Sequence, residues 1–273
     1  MSILREMLSY AFLTRALIVG VLVSLCSALL GVPLVLKRYS MIGDGLSHVG
    51  FGALAVAAAA NAAPLAVAIP VVVAAAFLLL RLSSSGRIKG DAAIAMVSTG
   101  ALAAGVIIIS LSTGMNTETS NYLFGSILSM SEGDVRLSLG ITGAVLLLFI
   151  IFYNPIFAVT FDETFARATG TRAGAYNALL ALLTSLTVVV GMRMMGSLLI
   201  SGLVIFPALS AMRLCREFRH VIICSAVISV LCFGAGTVAS FVLAIPTGAS
   251  VVCLNILALL GCFGIGKLTE RGG

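Results

Sequence analysis

Asp44 and His48 stand four residues apart in the run Ser40-Met41-Ile42-Gly43-Asp44-Gly45-Leu46-Ser47-His48. On a helix that spacing puts both side chains on one face, with Cβ atoms about 5–6 Å apart. A carboxylate beside an imidazole is a ligand pair for a first-row divalent metal: imidazole suits zinc, and carboxylate suits manganese as well. Two ligands are too few for a tight site, whereas a two-fold pair of chains brings together two Asp and two His. A plainer arrangement uses the same residues. Asp is a good N-cap, so Asp44 can cap a helix starting near Gly45 while His48 hydrogen-bonds inside the core. Spacing alone leaves both open.

Two further segments stand out. Phe161-Asp162-Glu163-Thr164-Phe165-Ala166-Arg167-Ala168-Thr169-Gly170-Thr171-Arg172 is polar and reads as a short helix, with Asp and Glu in its first turn and Gly170 as its C-cap. It suits either a docking helix for a partner or a solvated connector. The run from Gly196 to Ala211 carries Ser197, Ser201 and Pro207 in an apolar helix. Such a helix can line a path, although a serine bonded to its own backbone serves the same pattern. No phosphate-binding G-x-x-x-x-G-K-[ST] loop is present. His220 has no acidic or nucleophilic partner in an evident arrangement, and nothing in the chain points to catalysis.

These residues must be positioned by membrane helices. Of 273 residues, 60% are hydrophobic and only 10% charged, with a mean hydropathy of +1.20. Soluble domains carry roughly 25% charged residues. The composition therefore excludes a soluble enzyme, an extended disordered protein and a nucleic-acid binder, and it requires a lipid surround. At about 20 residues per span, nine spans are expected, at about 11–36, 46–60, 63–82, 91–112, 134–153, 174–192, 195–212, 219–243 and 248–266. The stretch 120–131 is too short to span and suits a re-entrant or interfacial helix. The whole chain, 1–273, reads as one transmembrane domain, with the polar segment at about 161–172 between spans.

The net charge of +6 is explained by position. Lys37 and Arg38, then Arg81, Arg87 and Lys89, then Arg167 and Arg172, then Arg213, Arg216 and Arg219, then Lys267 and Arg271 fall in alternate loops, which marks those loops as cytoplasmic. Nine spans then place the C-terminus in the cytoplasm and the N-terminus outside. Six cysteines lack metal-site or disulfide spacing and read as small buried hydrophobes. Within such a protein Asp44 is costly, by about 2.5–3.5 kcal/mol on insertion scales, and so is a functional candidate by default.

Taken together, the segments resemble one family. The basic turn Lys37-Arg38 is followed by Met41-Ile42-Gly43-Asp44 and Ser47-His48. Then come Leu123-Phe124-Gly125-Ser126-Ile127-Leu128, Phe161-Asp162-Glu163 with Ala166 to Gly170, Gly196-Ser197-Leu198-Leu199 with Pro207-Ala208, and Pro246-Thr247-Gly248. In that order, over about residues 12–267, they look like the permease of the ABC-3 group of divalent-metal importers. The resemblance implies an all-α polytopic membrane protein with the fold of the vitamin B12 type (type II) of ABC importer, about 8–9 transmembrane helices, in the cell membrane.

It also implies a second copy of the chain around a central path, a cytoplasmic ABC ATPase subunit and an extracytoplasmic metal-binding protein. No cofactor is held permanently; the divalent metal is cargo. Asp44 and His48 match the family's metal-contacting residues. Asp162, Glu163, Phe165, Ala166, Arg167 and Gly170 match the segment that seats in the ATPase. Zinc takes a four-coordinate Asp/His set readily and is favoured over manganese, which prefers more oxygens.

Two departures concern the outer gate and metal preference. Val49-Gly50-Phe51-Gly52 lacks a proline that many relatives carry there, and Ala244-Ile245 stands where many carry an acid. Two other functions stay open: a secondary carrier or channel, which needs no docking helix, and a siderophore-type permease, which needs a wider path and no Asp/His pair.

Overall fold

A computed structural model describes residues 11–84, 90–112 and 132–271. The expected re-entrant segment at 120–131, and with it the 123–128 part of the resemblance, lies outside these residues. The described residues form α1 (Ala11–Leu36), α2 (Ile42–Ala59), α3 (Pro64–Ser84), α4 (Gly90–Ser112), α5 (Glu132–Ile151), α6 (Tyr153–Phe161), α7 (Glu163–Ala168), α8 (Ala173–Met195), α9 (Ser197–Leu214), α10 (Phe218–Leu243) and α11 (Thr247–Arg271). All but α6 and α7 are long and apolar enough to cross a membrane, so nine candidate spans lie among the described residues. No strand occurs among them. The chain is a multi-pass, all-α membrane protein, as its composition requires.

The spans form an inner and an outer set. α1, α2, α8 and α9 are the most buried, and α3, α4, α5 and α11 the least. The outer helices expose large apolar side chains such as Ile107, Leu111, Ile150 and Leu260. Without water there is no hydrophobic drive between helices, so close association depends on small residues that admit a neighbouring backbone. Gly31 on α1 is such a position. A Cβ there would run into the Val204 carbonyl oxygen of α9. Gly52 on α2 likewise faces the Ala101 backbone of α4. Polar side chains stitch the same layers: Ser229 Oγ of α10 donates to the Ser24 carbonyl of α1 at 2.9 Å, and Ser225 Oγ to that of Ala28 at 3.3 Å.

Several boundaries differ from those expected, for local reasons. The second span starts at Ile42, not 46, because the turn before it is tightly closed. Arg38 N–H bonds the Val35 carbonyl and Tyr39 N–H that of Leu34, with Arg38 at φ 62°. This is a Schellman ending of α1, with arginine at the left-handed position usually given to glycine. α2 then runs unbroken to Ala59, with no proline within it. The fifth span breaks at Phe152, and Pro155 stands in the first turn of α6, where its missing N–H costs no intrahelical bond. Gly196, at φ 85°, separates α8 from α9.

Candidate metal path and docking helix

Asp44 does not cap α2. Met41 occupies the N-cap without a side-chain bond, and Asp44 lies inside the first turn. Its carboxylate is turned sideways, to α9. Ser201 Oγ donates to Asp44 Oδ1 at 3.1 Å. The same hydroxyl lies 3.1 Å from the Ser197 carbonyl; with one proton it serves these two acceptors in alternation. On the other side, His48 Nε2 is 3.6 Å from Asp44 Oδ2, too long for a hydrogen bond. Metal–ligand bonds of about 2.0–2.2 Å to each atom span such a gap.

Both side chains are half-buried, at 37% exposed for Asp44 and 24% for His48. They are thus partly enclosed yet still reachable. His48 Nδ1 is buried and has no hydrogen-bond partner, so the core-histidine arrangement is not realised through that nitrogen. Among the described residues no three His, Cys, Asp or Glu side chains group closely enough to hold an ion. One chain offers a carboxylate, an imidazole and a neighbouring hydroxyl. Of the three expected path residues, Ser201 joins this group, while Ser197 and Pro207 are buried in the helix packing.

The polar segment is a short helix, with Asp162 one position earlier than expected. Asp162 is the N-cap of α7, and its Oδ1 accepts from Phe165 N–H at 2.9 Å. The other end closes as a second Schellman turn: Gly170 N–H bonds the Arg167 carbonyl, Thr171 N–H that of Ala166, and Gly170 sits at φ 88°. The expected docking residues divide into two faces. Phe165 and Arg167 are 65% exposed, and Phe161 before them is 59% exposed. Ala166 is buried against Val159 and Ala173.

Glu163 also turns inward. Its Oε2 accepts from Asn177 Nδ2 at 3.0 Å and lies 3.5 Å from Lys37 Nζ, while Arg167 bonds its other oxygen. Lys37 Nζ, with its side chain 10% exposed, further donates to Asn177 Oδ1 at 2.8 Å and to the Val159 carbonyl at 2.9 Å. Burial pushes the Glu163 carboxyl up, but Asn177, Lys37 and Arg167 outweigh it and hold it below the usual range. Burial lowers the Lys37 ammonium against the opposing pull of Glu163. In the sequence Lys37 stands out as a topology marker and as part of the basic turn of the resemblance, while Asn177 gives no signal. No spacing rule links positions so far apart in the chain.

Sequence comparison decides which family this arrangement belongs to. The profile of the ABC 3 transport family matches residues 9–265. The chain belongs to the ABC 3 transport family. Among similar members is the manganese transport system membrane protein MntC of Halalkalibacterium halodurans, 31% identical over 247 residues, covering 90% of this chain and 85% of the relative. Another is the chelated iron transport system membrane protein YfeD of Yersinia pestis, 27% identical over 263 residues, covering 94% of this chain and 86% of the relative. In structure, the chain is similar to PsaBC from Streptococcus pneumoniae, solved in complex with a Fab. That match has a TM-score of 0.85 and 27% identity, and covers 96% of this chain and 94% of that one. The relatives' names give manganese and iron as cargo; a preference for zinc finds no support among them.

Proposed function

We propose that the chain is the permease subunit of an ATP-driven importer that passes a divalent metal across the cytoplasmic membrane, with Asp44 and His48 contacting the ion. The observation that carries this reading is the Asp44–His48–Ser201 group: two metal donors at bonding span on one helix, with a hydroxyl from a second helix fixing the carboxylate. One chain supplies too few donors, so a second copy completes the set. The Ser201 oxygen beside each carboxylate makes the doubled site richer in oxygen than the Asp/His pair alone. Oxygen-rich sites suit manganese better than zinc, and this agrees with the relatives' names. Manganese is therefore placed ahead of zinc as cargo, with iron as the further alternative.

ATP hydrolysis belongs to a separate cytoplasmic subunit, which seats on the exposed face formed by Phe161 at the end of α6 and by Phe165 and Arg167 of α7. An extracytoplasmic binding protein delivers the ion. The basic loops, including Arg213, Arg216 and Arg219, support a cytoplasmic C-terminus. The exposed aromatic docking face favours this reading over a carrier that works without an ATPase.

The test is metal accumulation in cells lacking the chain and complemented with wild type, Asp44→Ala or His48→Ala, across manganese, zinc and iron. A deficit in one metal, rescued by wild type and by neither variant while the ATPase still co-purifies, is the expected result. Full rescue by both variants would sink the assignment of the pair.

A further inference from the structure

Glu163 lies in the segment read as the docking helix, yet its carboxylate turns inward, to Asn177 and Lys37. It is gripped by Asn177, in the second turn of α8, and by Lys37, the residue directly after α1. Lys37 is nearly enclosed. It spends its donors on the Val159 carbonyl at the end of α6, on Asn177 and on the Glu163 ion pair. It is also the first residue of the tight turn that leads into α2. That turn is held by backbone bonds from Lys37, Arg38 and Tyr39 to α1 and from Ile42 N–H to the Tyr39 carbonyl, and by Tyr39 Oη to Ser83 Oγ of α3 at 2.9 Å. Asp44 follows within one helical turn of Ile42.

We propose that Lys37 and Asn177 are positioning residues that latch α7, through Glu163, to the 37–41 turn, so that displacement of α7 is passed to the start of α2 and to the Asp44 carboxylate. The route is short and stiff, because every joint in it is a hydrogen bond, an ion pair or a closed turn. α7 is otherwise joined to α6 through Asp162, whose N–H bonds the Ala158 carbonyl, and packs only the small Ala166 side chain against Val159 and Ala173. Breaking the latch leaves the exposed docking face in place but lets α7 move without carrying α2. The proposal rests on α7 being the ATPase contact.

The experiment uses the full chain co-purified with its ATPase and reconstituted in liposomes, measuring ATP hydrolysis and manganese uptake together. Lys37→Met keeps the length of the side chain and removes the cation. The expected result is an assembled complex that still hydrolyses ATP, with manganese moved per ATP falling roughly tenfold, the scale of coupling carried by single side chains. Lys37→Arg, which restores the cation, is expected to recover most of that ratio. In the variant without its ATPase, amide exchange in 163–169 should quicken while that in α9 stays as in wild type. An unchanged ratio in Lys37→Met, or hydrolysis and uptake falling in parallel, overturns the latch. Failure of the docking reading looks different: Phe165→Ala would then leave ATPase assembly intact, and the latch would lose its input with it.

Discussion

Ser201 on α9 donates a hydrogen bond to Asp44 on α2, at 3.1 Å and across 157 positions of sequence. The carboxylate is thereby aimed by a helix other than its own. A hydrogen bond to a charged group contributes about 1.5–3 kcal/mol. Ser201→Ala should therefore weaken manganese uptake at low external metal by roughly tenfold, and zinc uptake less, since the lost group is an oxygen. Competitive uptake of the two labelled metals checks this; equal loss of both would remove Ser201 from metal choice.

The two faces of α7 should respond differently to substitution. Phe165→Ala alters an exposed ring and is expected to lower recovery of the ATPase in a pull-down while leaving thermal unfolding in detergent unchanged. Ala166→Leu overpacks a buried position, and such changes cost about 1–3 kcal/mol. It should lower the unfolding temperature. A reversal of these two patterns would mean that the docking face has been assigned to the wrong side.

The N-cap of α7 is open to a direct measurement. Asp162→Ala removes the acceptor for Phe165 N–H, a loss of about 1 kcal/mol. In a helix of six residues this is enough to fray the first turn. Amide exchange at Phe165 and Ala166 should accelerate several-fold, and Asp162→Asn should restore protection.

The Glu163 anchor carries a pH signature. Its carboxyl titrates below the ordinary range in the folded chain, so its stabilising contribution is complete above the unfolded value near about 4.3. That contribution is lost as pH falls through the lower, folded value. Protection of α7 amides, corrected for intrinsic exchange, should be flat from about pH 5 to 8 and decline below about pH 4. Glu163→Gln should abolish the decline.

Gly31→Ala tests the contact between α1 and α9. The added methyl meets the Val204 carbonyl, backbone that cannot rotate aside. A destabilisation of about 1–3 kcal/mol is expected in thermal unfolding, with reduced metal uptake because Ser201 moves with α9. Gly140→Ala, where nothing lies within reach of a Cβ, is the matched control.

The number and order of the spans were legible because hydropathy is a property of continuous segments, and nine apolar runs separated by polar breaks leave little freedom. The Asp44–His48 pair was legible because helical spacing joins them locally. The partner of Asp44 was not: a serine bonded to its own helix and one that reaches a distant carboxylate look alike in sequence, and Ser201 does both. The inward turn of Glu163 was equally hidden. A carboxylate in a polar loop reads as solvated, and only the fold brings Lys37 and Asn177 against it. The start of α2 was misplaced because a Schellman turn normally announces itself with glycine, and here Arg38 takes that position.

A donor set divided between two copies, as proposed, would have a genetic consequence. A cell making equal amounts of wild-type and His48→Ala chain assembles pairs at random, and only about a quarter of them carry both imidazoles in a two-fold assembly. The variant would then act as a dominant-negative allele, depressing uptake well below the half expected from simple dosage. The depth of that depression counts the copies that meet at one ion.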